Sequence, residues 1–307
     1  MKKLTIIIIN YNTKELLKKC LDVLDIKNIP EDYSIIVIDN NSPDGSADMA
    51  KKIPGRFEVV RLKENRGFPY AANIGIKKSL SEFYLILNSD TEVKQIQLTE
   101  MLKFMSENLE ISAMTPFQYN SKNEPQLAWG CFPTFTSEIG RKILQNALDN
   151  GKKWAHSKLR KLEEPFFVHW VAGSTMLLRD AALQKAGLFD ENYFIFFEDI
   201  DLCTRIRSAG WKIAVCPGIK VIHHRGESAK TDSINASLHY RRSQMYFWKK
   251  HHNRLSFLMM RACLLSKLRI KKYLISIKIL ISKSRKANLL RERESLSKFL
   301  NLIKTYR

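Results

Sequence analysis

Three nearly unbroken apolar runs near the start of the chain each give way to asparagine and aspartate. They read Ile6-Ile7-Ile8-Ile9-Asn10-Tyr11-Asn12, Ile35-Ile36-Val37-Ile38-Asp39-Asn40-Asn41-Ser42 and Tyr84-Leu85-Ile86-Leu87-Asn88-Ser89-Asp90. Runs rich in β-branched residues with no polar alternation predict strands buried on both faces. In a parallel sheet such strands deliver their C-terminal residues to one edge, where open α/β folds bind ligands. Asn and Asp also turn a chain into the next helix. Turn chemistry explains one such ending more easily than three.

Strand-like and helix-like segments alternate through about residue 115, which predicts right-handed crossovers and a mostly parallel, Rossmann-like sheet with flanking helices. Strands are expected at 5–9, 34–38, 57–62 and 83–87, and a helix opens near Phe68-Pro69, with Pro at an early position. Residues 116–165 hold Pro116, Pro125, Pro133 and Gly130 and read as an irregular insertion with one helix near 137–148. Order is expected again at 168–178. Helices are expected at 180–186 and 198–209, stopped by Gly187 and Gly210. Strand pieces follow near 212–215 and 219–223. Farther on, Leu289, Leu296, Leu300 and Ile303 share one helical face, while Ile275-Ser276-Ile277-Lys278-Ile279 fits strand alternation as well as helix.

Charge divides the chain in two. Of 51 basic and 31 acidic residues, 19 basic and two acidic (Glu292, Glu294) fall after residue 240, so the last 67 residues carry +17 of the net +20. We therefore expect a catalytic body at 1–240 and a basic, mainly helical extension at 241–307. Five scattered cysteines without a C-x-x-C pair fit a reducing compartment better than a zinc site or a disulfide framework. Met1-Lys2-Lys3 runs straight into a strand-like segment, unlike a secretory leader. Arg261 and Lys278 interrupt the two most apolar stretches. The expectation is a cytoplasmic protein, peripheral at the inner face of the cell membrane.

The polar strand ends can support chemistry. Asn88-Ser89-Asp90 is a variant of an Asp-x-Asp arrangement, whose carboxylate can hold a hard divalent cation under a diphosphate. Asp39 can accept the N3–H of uracil or thymine, with Asn10, Tyr11 and Asn12 walling the base. The stretch Asn65-Arg66-Gly67-Phe68 through Asn73 joins a loop to a helix N-terminus, whose N–H groups suit a diphosphate or ribose. Gly67 and Gly75 could equally serve a tight turn and close packing. Glu198, Asp199 and Asp201 follow a block of aromatic residues and open a helix; capping alone would account for one or two of them. Apolar walls beside an ionised carboxylate also suit a general base. His223 and His224 end the last strand, where an imidazole can complete a metal shell or touch a phosphate.

The ordered set Asn10-Tyr11-Asn12, Ile38-Asp39-Asn40-Asn41-Ser42, Glu64-Asn65-Arg66-Gly67-Phe68, Leu87-Asn88-Ser89-Asp90, Ala172-Gly173-Ser174, Phe189-Asp190-Glu191, Phe197-Glu198-Asp199-Ile200-Asp201 and His223-x-x-Gly226 resembles the family-2 glycosyltransferases of GT-A fold over roughly residues 4–230. The block 193–211 with 223–228 is most similar to bacterial rhamnosyltransferase-like members that build surface polysaccharides. The resemblance implies an inverting transferase that moves a sugar from a UDP- or dTDP-sugar to a hydroxyl of a saccharide acceptor linked to a polyprenyl diphosphate. It implies that Asp39 reads the pyrimidine, with Asn10, Tyr11, Asn12, Asn41, Asn65, Arg66, Gly67, Asn73, Asn88 and Ser89 lining the donor. Asp90 would bind Mg²⁺ or Mn²⁺, with His223 the second ligand and His224 its alternative. Asp199 would be the base and Glu198 would position the acceptor. Asn88 stands where the family's metal motif has its first Asp, which leaves one strong carboxylate.

A polybasic tail with apolar faces suits an anionic membrane surface. Nucleic-acid binding through the tail is the rival of a different class. No recognised motif supports it, and it leaves the acidic loops unused. A sugar-phosphate nucleotidyltransferase would need a Gly- and Lys/Arg-rich loop after the first strand, where this chain has Asn10-Tyr11-Asn12-Thr13.

Overall fold

The computed structural model describes residues 1–224, 233–281 and 286–306. They form two compact units, Met1–Phe194 with Glu198–Lys230 and Ile195–Phe197 with Thr231–Arg307.

The first unit begins with β1 (Lys2–Asn10), α1 (Lys14–Val23), β2 (Tyr33–Asp39), α2 (Ser46–Lys51), β3 (Glu58–Arg61), α3 (Phe68–Lys77) and β4 (Ser81–Asn88). These strands are parallel in the order β3-β2-β1-β4. Central β1 is covered on both faces, which is why its middle is four successive isoleucines, Ile6 to Ile9. Ile6 and Ile8 join the core with Leu17 and Leu21 of α1. Ile7 faces α3, where a Cβ on Gly75 would lie 2.4 Å from Ile7 Cγ2. Only a residue without a side chain lets helix and strand approach so closely. Register then aligns the polar ends: Asn10 pairs with Asp39 and Ile9 with Asn88.

Beyond β4 come β5 (Thr91–Glu92), α4 (Gln95–Glu107), β6 (Ile111–Tyr119), β7 (Trp129–Gly130), α5 (Phe135–Asp149), α6 (Lys153–Arg160), β8 (Phe166–Phe167), β9 (Trp170–Val171), β10 (Thr175–Arg179), α7 (Asp180–Ala186), α8 (Glu198–Ser208) and β11 (Lys212–His223). Here the sheet is mixed. Strand β10 lies antiparallel between β4 and β6, while β6 and β11 are parallel. The two strand pieces expected at 212–223 are one strand whose register shifts between Cys216 and Lys220. Pro116, expected to open an irregular region, instead lies within β6 opposite Cys216, just before that shift. Proline has no N–H for the ladder, so it is tolerated where pairing is already interrupted.

The second unit contains α9 (Ser233–His251), α10 (Arg254–Ile281) and α11 (Lys286–Thr305). The ambiguous segment 275–279 is helical, and Ile275 is buried. Leu296, Leu300 and Ile303, expected on one helical face, are buried. Arg261 donates from Nε to the Ile303 carbonyl (3.2 Å) and from Nη2 to that of Lys304 (3.3 Å), meeting the end of α11 where cations are favoured. Among the described residues no helix is long and apolar enough to cross a membrane.

Candidate active site

A hydrogen-bonded chain crosses the C-terminal edge of the parallel strands. Asn10 Nδ2 donates to Asp39 Oδ1 (2.8 Å) and to Ser42 Oγ (3.1 Å), and the Ser42 N–H donates to Asp39 Oδ2 (3.0 Å). Thr13 Oγ1 donates to Asn10 Oδ1 (2.8 Å). With that proton used, the 2.6 Å contact between Thr13 and Ser89 is a donation from Ser89. Asp39 is thus joined through Asn10, Thr13 and Ser89 to the residue beside Asp90. Asn12 and Asn41 both have positive φ (56° and 62°), a conformation Asn tolerates better than most residues. The Asn12 N–H reaches Ser42 Oγ at 2.9 Å.

Asp39 is fully buried, and each of its oxygens already accepts a hydrogen bond. Each keeps a second lone pair, and the neighbouring Asn40 adds an acceptor that has no partner at all. Nδ2 donates to the Gly67 carbonyl (3.1 Å), which fixes the amide orientation, while buried Oδ1 has no partner. An unsatisfied buried acceptor costs about 1–3 kcal/mol, so a ligand N–H there is worth that much. The sequence-based reading passed over Asn40. Tyr11 is exposed, and the Arg66 guanidinium lies 3.8 Å from the Tyr70 ring centroid.

Asp90 and His223 face each other. Gln126 Nε2 donates to the His223 carbonyl (2.9 Å), so Gln126 Oε1 is the atom 3.1 Å from His223 Nδ1. This assigns a ring proton to Nδ1. Nε2 lies 3.3 Å from Asp90 Oδ1, a buried oxygen that makes no hydrogen bond. The donor set, one carboxylate oxygen and one imidazole nitrogen, fits Mn²⁺ or Mg²⁺ that draws its other ligands from a diphosphate and water. Among the described residues there is no cluster of three His, Cys, Asp or Glu that could hold a metal by itself. His224 is committed elsewhere: its Nε2 meets Glu92 Oε1 at 2.5 Å, and Lys19 meets the same oxygen at 2.7 Å. Arg225 and Gly226 lie outside the described residues.

The acidic helix α8 is brought alongside by a clamped loop. Asn73 Nδ2 donates to the Phe189 carbonyl and to Glu191 Oε1 (both 2.9 Å), and Asn73 Oδ1 accepts the Phe189 N–H (3.0 Å). Asn73 therefore serves the site by holding this loop. Asn65 Oδ1 accepts the Gly67 N–H (3.0 Å). At Gly67, φ is +92° and a Cβ would come within 2.2 Å of the Phe194 carbonyl oxygen, which also accepts the Phe68 N–H (2.8 Å). Gly67→Ala should therefore destabilise the fold by ~2–4 kcal/mol and displace the loop, read as a lower urea midpoint. An unchanged midpoint would contradict this packing.

Phe196 and Phe197 enter α8 with successive positive φ values of 69° and 66°. Such strain is rare in aromatic residues and gathers at functional sites. Asp199 Oδ2 accepts the Gly173 N–H (3.1 Å) and Oδ1 the Ile200 N–H (2.8 Å). The Ser174 carbonyl next to Gly173 accepts the Asn88 N–H (2.9 Å), so one short segment borders both the 88–90 turn and Asp199. Desolvation raises the Asp199 pKa above the usual aspartate range, opposed by those N–H groups and by the charge of Arg141. Burial and the neighbouring Asp199 push Glu198 well above its ordinary value, and Glu198 Oε2 has no partner. Of the two, Glu198 is pushed the further toward its protonated form, while Asp199 keeps two N–H donors that favour its carboxylate. Asp201 does other work: it pairs with Arg205 (2.8 Å), which bonds the carbonyls after α7.

Gln126 and Arg141 were missed because both lie in the region whose prolines suggested an irregular insertion. No periodicity or motif marks either.

The profile describing glycosyl transferase family 2 matches residues 5–164. The chain belongs to that family. It is similar to the rhamnosyltransferase WbbL of Escherichia coli, 26% identical over 71% of this chain and 82% of that protein. It is also 32% identical to the N-acetylglucosaminyl-diphospho-decaprenol L-rhamnosyltransferase of Mycobacterium tuberculosis, over 32% of each chain, so the match spans about a third of that relative. Among solved structures, the mannosyltransferase PcManGT of Pyrobaculum calidifontis, in complex with GDP-Man and Mn²⁺, has a TM-score of 0.57 at 14% identity, covering 99% of this chain and 86% of that one. That likeness bears on the fold, which is GT-A.

Proposed function

We infer that this family-2 chain is an inverting glycosyltransferase. It moves a sugar from a pyrimidine nucleotide-sugar to a hydroxyl of a lipid-linked saccharide, in bacterial surface polysaccharide synthesis. The observation that carries the reading is the approach of His223 Nε2 to Asp90 Oδ1, a buried oxygen with no hydrogen bond, beside a 173–174 segment bonded both to the 88–90 turn and to Asp199. Rhamnose is the sugar suggested by the names of the two rhamnosyltransferase relatives, and a dTDP donor is what the family resemblance implies for it.

The residues divide the work as follows. Asn40 Oδ1 accepts the N3–H of uracil or thymine, and Asp39 holds Asn10 and Ser42 in place behind it. Tyr11 offers a ring face to the base. Asp90 and His223 hold a divalent cation, with Gln126 fixing the imidazole tautomer. That cation, when bound, offsets the charge that grows on the departing diphosphate. Asp199 accepts the proton of the acceptor hydroxyl as its oxygen bonds to the anomeric carbon. The bond from that carbon to the diphosphate oxygen breaks on the opposite face, and the nucleoside diphosphate leaves. Protonated Glu198 donates a hydrogen bond to the acceptor. The basic second unit keeps the protein at the anionic inner membrane face, where a polyprenyl-linked acceptor resides.

The direct test is a titration of UDP- and dTDP-sugars, with and without Mn²⁺, following slow donor hydrolysis. We expect cation-stimulated hydrolysis of one pyrimidine donor and none of a purine donor. Asn40→Ala should weaken that donor by ~5–100-fold, from the loss of one buried hydrogen bond. Equal turnover of GDP-sugars would refute the base assignment.

A further inference from the structure

Helix α10 has two unlike faces. Its buried side places Phe257, Met260 and Ile275 in the core of the second unit. On the opposite side Leu255, Met259, Ile270 and Tyr273 are 69%, 55%, 60% and 67% exposed. These positions, with Ala262 and Ser266 between them, advance by three or four residues and so form one straight stripe. Leu258 and Leu274 widen it, and both are exposed. At the helical repeat Lys267, Lys271 and Lys278 border one margin, and Arg254, Lys272 and the exposed Arg269, which lies nearest the stripe beside Leu258, border the other. Lys271 also pairs with Glu292 at 2.9 Å. The helix contains seven Lys or Arg and no acid in its 28 residues. It is about 42 Å long at 1.5 Å per residue. No apolar window in it is fit to span a bilayer.

We propose that this stripe of α10 is the membrane-contacting surface, lying in the plane of an anionic bilayer with its lysine margins at the lipid phosphates. The proposal rests on the lipid-linked acceptor reading and deepens it by naming the docking face. The occupant follows from charge: an all-basic helix with an outward apolar stripe and cationic margins matches a surface that is apolar below and anionic at the headgroups. A soluble partner protein would have to supply a long acidic rim around an apolar groove. The face of α11 that looked amphipathic in sequence is unavailable, because Leu296, Leu300 and Ile303 are already buried.

Cys263 is exposed beside the stripe, and Cys131 is the other exposed cysteine. The full-length Cys131→Ser chain, labelled at Cys263 with an environment-sensitive dye, should show a blue shift with phosphatidylglycerol-containing vesicles. Phosphatidylcholine vesicles alone should produce much less. The double variant Met259→Glu/Tyr273→Glu should lose vesicle co-sedimentation by ~10-fold or more. Its helical circular dichroism and its transfer to a short, water-soluble acceptor should be unchanged. An unshifted dye, or full sedimentation of the folded double variant, would overturn the proposal. So would a concentration-dependent dimer that the same substitutions abolish, because a second copy would then be the occupant. Asp199→Asn protein should still bind vesicles, so a failure of the transferase reading is distinguishable from a failure of this one.

Discussion

Asp199→Asn is expected to lower the transfer rate by ~10²–10⁴-fold, the usual contribution of a positioned general base. Donor affinity should change by no more than about 3-fold, because the lost proton acceptor acts on the acceptor hydroxyl. The amide is nearly isosteric and still accepts one N–H, from Gly173 or from Ile200. The drop should therefore appear in kcat with little change in donor KM. Retained turnover would refute the assignment. The wild-type pH profile should agree. With its pKa raised by burial, Asp199 is ionised and active at high pH and becomes protonated as pH falls. The acid limb of kcat/KM should thus lie above the usual aspartate range. Asp199→Asn should remove that limb from any residual rate.

Asp90→Ala should abolish measurable Mn²⁺ binding in the presence of nucleoside diphosphate and reduce transfer by ~10³-fold, in keeping with the several kcal/mol that a cation supplies to a leaving diphosphate. Calorimetric titration with Mn²⁺ measures the first effect independently of turnover. Gln126→Leu is the sharper probe. It leaves both ligands in place but removes the acceptor for His223 Nδ1–H, so the imidazole loses its enforced tautomer. Partners of this kind are worth ~10–100-fold in metal affinity. His224→Ala should leave Mn²⁺ affinity unchanged, since that ring is held by Glu92. Equal Mn²⁺ affinity in wild type and Asp90→Ala would rule out the site.

Much of the first half of the fold is written in local pattern. A strand segment buried on both faces must be apolar at every position, and the runs 6–9 of β1, 35–38 of β2 and 83–87 of β4 are, so their existence and their polar ends could be read directly. Helices α7 and α8 were equally legible, because Gly187 and Gly210 take the positive φ that ends them. The Glu-Asp pair stood out by its aromatic neighbours. The antiparallel place of β10 was not legible, since pairing between segments far apart in sequence leaves no local mark. Nor was the passage of β6 through Pro116, which depends on a register shift in another strand.

The division of labour among the polar residues shows the same limit. The sequence by itself determined that asparagines, aspartates and a histidine would gather at one edge of a parallel sheet, because strand direction and hydrophobic pattern leave them no other place. Only the tertiary structure decided which atoms are spent and which remain available. It gives each oxygen of Asp39 one internal hydrogen bond and Asn40 Oδ1 none; it turns His223 rather than His224 toward Asp90. It also buries the apolar face of α11 and exposes that of α10. The physical reason is that a hydrogen bond or a buried face is a property of a pair, and the partner here lies far along the chain, 97 residues for Gln126 and His223 and 132 for Glu92 and His224.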